Sequence, residues 1–287
     1  MELLRIVTEP AMKQPTLVMG FSGWMDGGNS STGTIEYLQA RLGGKRFAEI
    51  DADGFYILNF PGTMETASIF RPYTKFQNGI IQKFDYPENT FYACPEHSLI
   101  LFEGREPNLA WGRYCDAIFE ICRRFAVRQI IFVGSVAGAV PHTRESRVSC
   151  SISTEHLRLG MEKKGFRFIN YEGPGSFVTY LLQQCSRRGL DMISLVSEIP
   201  VYVHGYNPRC VETALRCISS LLDLQLEHED LHAMSEDFEK RVSKLVDEQP
   251  ELAESVRQLE EIYDNEVFDS EMGDLKKWLL QRGVRPD

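Results

Sequence analysis

Four apolar runs of this 287-residue chain end in side chains able to do chemistry. TLVMGF (16–21) runs into Ser22, Trp24, Asp26, Gly27, Gly28 and Asn29. SLILFEG (98–104) carries Glu103 and is followed by Arg105 and Glu106. QIIFVGS (129–135) opens SVAGAVPHTR, with His142, Thr143 and Arg144. MISLVSEIP (192–200) carries Glu198, and Tyr202 follows. Asp26, Glu103 and Glu198 are potential proton donors and acceptors, His142 titrates near neutrality, and Arg144 can hold an anion by two parallel hydrogen bonds.

The glycine-rich stretch GFSGWMDGGN (20–29) invites three templates. A phosphate loop needs a lysine after its last glycine, and none stands there. The dinucleotide fingerprint G-x-G-x-x-G is absent, and an unpaired Asp26 would repel phosphate. A nucleophile elbow needs glycine two places after the serine, where Trp24 stands. The remaining reading is a strand-to-helix corner. Gly27 and Gly28 permit unusual backbone angles, Asn29 or Ser30 caps the helix that follows, and Asp26 accepts from N–H groups at its start. In PHTR, His142 and Arg144 either bind an anionic group or are structural. The structural reading is favoured: Arg144 pairs with Glu145 or Glu172, or lies at an interface, and His142 is hydrogen-bonded in its loop. Seven cysteines without a CxxC pair, and no His/Cys cluster at ligand spacing, point to buried apolar thiols, no metal and no cofactor.

The elements that must position these residues alternate. Apolar runs at 16–21, 98–104, 129–135 and 192–200 read as buried strands. Helical patterns follow at 31–42, after Pro107 as first helical residue, at 175–189, and at 208–224 opened by Pro208. Continuously apolar strands separated by helices imply a largely parallel sheet, whose strand carboxyl ends bring the candidates to one edge. GFYILNF (54–60) and GIIQKFDY (79–86) read as a small strand pair. Beyond residue 225 the pattern changes. Amphipathic helices follow Leu231, Met234, Phe238, Val242 and Leu245, then Leu252, Val256, Leu259 and Tyr263, with a third segment at 274–282 ended by Gly283 and Pro286. The division is therefore an α/β domain over 1–225 and an acidic helical extension over 226–287. Residues 223–287 carry 8 basic and 19 acidic side chains, which accounts for the net charge of −10. No basic patch speaks for nucleic acid, no run suits a membrane helix, and the N-terminus lacks a signal-peptide layout, so a cytoplasmic protein is expected.

GFSGWMDGGNSS, VPHTR, YEGPGSFVTYLLQQCSRRGLDMISLVSEIPVYV and ALRCISSLLDL, in this order, resemble the proteasome assembly chaperone 2 family, over roughly residues 5–225. The resemblance implies a three-layer α/β/α sandwich similar to nucleoside phosphorylases. It also implies a non-catalytic assembly chaperone acting as a homo-oligomer, a trimer included, on a protein client. Its motif residues fall on Trp24, Asp26, Gly27, Asn29, His142, Thr143 and Arg144, lining a pocket or an interface. Members that dock on the proteasome core end in hydrophobic–Tyr–any residue, and this chain ends Arg285-Pro286-Asp287. The alternative is a nucleoside-, nucleotide- or carboxylate-binding enzyme with its pocket at the strand carboxyl ends, in line with the ATP-grasp-like ligase label given to bacterial members.

Overall fold

The computed structural model describes residues 3–281. The strands are β1 (Leu4–Ile6), β2 (Thr16–Ser22), β3 (Lys45–Ile50), β4 (Thr74–Gln77), β5 (Ile80–Phe84), β6 (Thr90–Cys94), β7 (Leu99–Arg105), β8 (Gln129–Gly138), β9 (Val148–Ile152), β10 (Arg167–Phe168) and β11 (Asp191–Pro200). The helices are α1 (Ser30–Arg41), α2 (Met64–Ser68), α3 (Trp111–Arg124), α4 (Arg158–Lys163), α5 (Phe177–Arg188), α6 (Pro208–Leu222), α7 (Glu229–Asp247) and α8 (Pro250–Gln281).

The four apolar runs form the centre of a nine-stranded sheet in the order β1-β3-β6-β7-β2-β8-β11-β9-β10. β7, β2, β8 and β11 are mutually parallel. Both faces of these strands are buried, which is why they read as unbroken hydrophobic stretches. The margins turn antiparallel, at β6, β3 and β1 on one side and at β9 on the other. Helices α3 and α5 cover one face through Tyr114, Ile118, Ile121, Phe177 and Leu181. Helices α1 and α6 cover the other through Ile35, Leu38, Val211, Leu215 and Ile218. The result is a three-layer α/β/α sandwich with a mostly parallel central sheet and a helical C-terminal extension.

Local signals explain the helix limits. Ser176 Oγ accepts from Thr179 N–H at 3.2 Å to start α5, and Gly189 ends it at φ 67°. Asn207 Oδ1 accepts from Cys210 N–H at 3.2 Å, with Pro208 at the first position of α6. Pro107 does not open a helix; α3 starts at Trp111, whose indole N–H donates to the Pro107 carbonyl at 2.7 Å.

GFYILNF is irregular rather than a strand. Its Phe55 and Tyr56 plug the α3 side of the sheet, and the Tyr56 hydroxyl reaches Asn89 Oδ1 at 2.6 Å. The partner of β5 is β4, joined through Asn78-Gly79, both at positive φ as a two-residue hairpin turn requires. This hairpin, with α2, forms an arm that leaves the sheet. Ile80 and Ile81 are neighbours that must point to opposite faces, yet they are 66% and 56% exposed. Both faces of the hairpin are therefore open.

The extension packs on the body. Leu231 of α7 is buried in the core under α1 and α6. α8 is continuous from Pro250 to Gln281, so the third segment at 274–282 is not a separate helix. The side chains of Leu275, Trp278 and Leu279, and all of Gly283, Pro286 and the Arg285-Pro286-Asp287 end, lie outside the described residues. Among the described residues no helix is long and apolar enough to cross a membrane.

Candidate functional site

The corner after β2 is built by close approach. A Cβ on Gly20 would stand 2.6 Å from the Ser31 carbonyl oxygen, so glycine lets α1 press on the strand. Ser31 Oγ accepts from Phe21 N–H at 3.0 Å and donates to the Val133 carbonyl at 2.6 Å, tying α1 to β2 and β8. Asp26 is the working cap of α1: Oδ1 accepts from Ser31 N–H at 2.8 Å and Thr32 N–H at 3.1 Å, and Oδ2 from the Thr32 hydroxyl at 2.8 Å. Asn29 sits at φ 51° and makes no side-chain capping bond. Burial raises the Asp26 pKa, opposed by the Thr32 and Ser31 hydrogen bonds. Gly27 packs on Ile199, and its carbonyl accepts from Ser135 Oγ at 2.6 Å. Trp24 is 71% exposed. Its loop is pinned by Glu106, whose part the sequence did not disclose: it accepts from Trp24 N–H at 2.9 Å and from Phe177 N–H, the first of α5, at 3.0 Å. The Ser22 carbonyl accepts from Glu106 N–H at 2.9 Å.

Glu103 lies on β7 opposite Gly20. Burial, then the negative charges of Glu36, Asp26 and Glu88, push its carboxyl up to about 7. Among the described residues no group of His, Cys, Asp and Glu is arranged to hold a metal ion.

The PHTR loop faces the extension. His142 is buried, and its backbone N–H donates to the Tyr202 hydroxyl at 2.9 Å. That hydroxyl lies 2.8 Å from His142 Nδ1 and has its own proton free to donate there. Nε2 then carries the ring proton toward Ser243 Oγ of α7, 3.0 Å away. This is the neutral tautomer, in keeping with a His142 pKa lowered by burial. Burial likewise raises the Tyr202 hydroxyl. Thr143 donates to Glu260 of α8. Arg144 grips Asp264 with Nε at 2.8 Å and Nη2 at 2.9 Å, and stands 3.5 Å from Glu260. Its partners are thus in α8, rather than Glu145 or Glu172. Arg209 donates to the His142 carbonyl at 2.6 Å and pairs with Glu239 of α7. Arg147 meets Glu266 at 2.6 Å, lies 4.7 Å over the Tyr263 ring, and stands 3.9 Å from Glu198. Glu198 also lines a cleft of about 560 Å³ with Arg147, Lys164, Phe168, Arg216 and Tyr263.

The candidates therefore fall into two groups. Asp26 and Glu103 belong to the corner with Ser22, Trp24, Gly27 and Asn29. His142, Thr143, Arg144, Glu198 and Tyr202 belong to the face under α7 and α8. Among the described residues no hydrogen bond or ion pair joins the groups. The acidic residues of α7 and α8 signalled their role only through net charge, since their partners lie far off in sequence.

A search of curated proteins returned no match. Among solved structures, a proteasome-assembly chaperone homologue from Mycobacterium tuberculosis is 26% identical, with a TM-score of 0.73 over 84% of this chain and 99% of that one. A PAC2 family protein from Streptomyces avermitilis is also 26% identical, with a TM-score of 0.71 over 84% and 99%. A Mycobacterium tuberculosis protein of unknown function, 23% identical, shares the fold with a TM-score of 0.82 over 95% of this chain and 92% of that one. The PAC2 family model matches residues 20–246, spanning the corner, the PHTR loop and α7, and the chain belongs to the PAC2 family.

Proposed function

We propose that this chain is a chaperone-like, non-enzymatic assembly factor that binds protein and works as a homo-oligomer in the cytoplasm. Membership of the PAC2 family and likeness to a proteasome-assembly chaperone homologue support an assembly role. The observation that carries the reading is the arm. Tyr73, Phe76, Ile80, Ile81 and Phe84 are each more than half exposed on a two-stranded hairpin. Such a hairpin is marginal alone, and large apolar side chains left open on both its faces mark contact with another protein. The division into an α/β body over 1–225 and an extension over 226–287 is part of this reading.

The test is sedimentation of the wild type beside an Ile80→Glu/Ile81→Glu/Phe84→Glu variant, whose changes touch only exposed side chains. A wild-type multimer and a smaller variant species with unchanged melting are expected. A monomeric wild type whose sedimentation the substitutions leave untouched would refute the self-association.

One observation favours a second reading, an enzyme acting on a nucleoside, nucleotide or carboxylate: burial, then the charges of Glu36, Asp26 and Glu88, push the Glu103 carboxyl toward the end of β7 up to about 7. A thermal-shift screen with nucleosides, nucleotides, phosphate and carboxylates decides it. A ligand at 100 times its Kd adds about 2.7 kcal/mol of stability, and this reading falls if nothing in the screen shifts melting.

A further inference from the structure

Among the described residues, the ion pairs that α8 makes with the body fall on one short surface. Glu260 receives Thr143 and Arg144, Asp264 receives Arg144 through two nitrogens, and Glu266 receives Arg147. Tyr263 lies under the Arg147 guanidinium and donates to the Glu145 carbonyl at 3.0 Å. Apolar burial is partial: Val256 is the one fully buried side chain of α8 among those described, and Leu252, Leu259, Tyr263 and Val267 are half-buried. Asp264 and Glu266 remain 54% and 57% exposed, and pairs in contact with water hold weakly and are screened by salt. α8 continues past Glu266 to Gln281, with Phe268 61% exposed.

These contacts define a recognition pattern. Thr143, Arg144 and Arg147 read carboxylates spaced four and two residues apart along a helix, with an aromatic ring one position before the middle carboxylate. Nothing in the pattern needs the reader and the helix to belong to one chain. Arg144 and Arg147 put positive charge on this surface and the extension carries a net −11, so charge complementarity selects an acidic helix. A helix held by partly exposed ion pairs can be displaced by another of the same chemistry.

We propose that the Thr143–Arg144–Arg147 surface is a docking site for an acidic amphipathic helix of a partner protein, and that α8 occupies it as a built-in competitor. A partner then binds only after displacing α8, which raises the affinity or the local concentration that it needs. The proposal stands on contacts in which the hairpin arm takes no part, so it holds or fails independently of self-association through the arm.

The probe is a fluorescent synthetic peptide copying residues 250–268, read by anisotropy against the full-length protein. A latch-loosened chain, Glu260→Gln/Asp264→Asn/Glu266→Gln, is expected to bind it about tenfold or more tightly than the wild type, because the tethered competitor is weakened. Adding Arg144→Glu/Arg147→Glu to that chain should abolish binding, as should replacing the peptide's three matching carboxylates by amides. Equal binding to wild type and loosened chain, or equal binding of the amide peptide, overturns the proposal. A second measurement needs no variant. Amide exchange over 256–266 of the wild type should rise when NaCl goes from about 0.05 M to about 0.5 M, while α1 and α6 stay protected. Unchanged protection over 256–266 would also overturn it.

Discussion

Asp26 and Glu103 are both carboxylates in the corner, yet their surroundings give them opposite parts. Asp26 accepts three hydrogen bonds from the start of α1, so its worth lies in an acceptor at that place. Asp26→Ala removes them and should cost about 1–2 kcal/mol, whereas Asp26→Asn keeps an acceptor oxygen and should cost less than half of that. Urea denaturation of the two variants separates capping from charge, and equal losses would refute the capping account. Glu103 has negative neighbours and a carboxyl raised to about 7 in the folded state. A carboxyl with a raised folded pKa binds its proton more tightly when folded, so its favourable contribution is present at low pH. That contribution is lost as pH rises from the unfolded value near 4.5 through about 7. Glu103→Gln, which cannot ionise, should therefore match the wild type at about pH 5 and exceed it at about pH 8. The margin, discounted for partial exposure, is about 1–2 kcal/mol. Denaturation at the two pH values checks the sign. A variant less stable than wild type at the higher pH would show that the charged carboxylate is favoured in the fold.

Among the elements, legibility in the sequence followed burial. β2, β7, β8 and β11 were readable because both faces are covered and their central residues are nearly all apolar. β3 (KRFAEI) and β9 (VSCSI) were not, because strands toward the sheet margins need only one apolar face and tolerate charge or serine on the other. GFYILNF misled because an aromatic-rich run looks like a strand, while Phe55 and Tyr56 serve as a plug without pairing. The corner was legible as a turn into a helix, but which side chain caps it was not. Sequence offers Asn29 at the customary place, and the cap comes from Asp26 because Asn29 is left-handed. Nor could sequence reveal the part of Glu106, whose partners Trp24 and Phe177 lie 82 and 71 residues away. That carboxylate sits at the N-terminus of α5, where the helix dipole and an orphan N–H favour negative charge. Glu106→Gln keeps one acceptor oxygen but removes the charge and the second. It should lower stability by about 1 kcal/mol or more and raise amide exchange at Trp24 and Phe177 together. A rise at only one of the two amides would mean that Glu106 does not clamp both.

At the scale of the whole molecule, α7 and α8 are attached by different physics, and truncation can tell them apart. α7 is anchored by Leu231, 2% exposed within the core that lies under α1 and α6, by His142 against Ser243, and by Arg41 against Asp230 at 2.5 Å. Losing the burial of Leu231 alone removes about 2 kcal/mol and opens an apolar patch over α6. α8 beyond Val256 is held, among the described residues, by half-buried Leu259, Tyr263 and Val267 and by partly exposed ion pairs, each worth about 1 kcal/mol. A chain ending after Glu248 should therefore keep its fold and melt only slightly lower. It exposes Arg144 and Arg147, which are soluble, and leaves α7 seated. A chain ending after Leu224 should fare far worse, for two reasons that add. It bares the α6 face, and it strips the excess negative charge, leaving a body near neutrality whose copies no longer repel one another. Aggregation on mild heating, followed by light scattering in low salt, is expected for the shorter chain and not for the longer. If both truncated chains aggregate alike, α8 contributes apolar cover that the exposure of its side chains does not account for. If neither does, the attachment of α7 through Leu231 is not what keeps the body soluble.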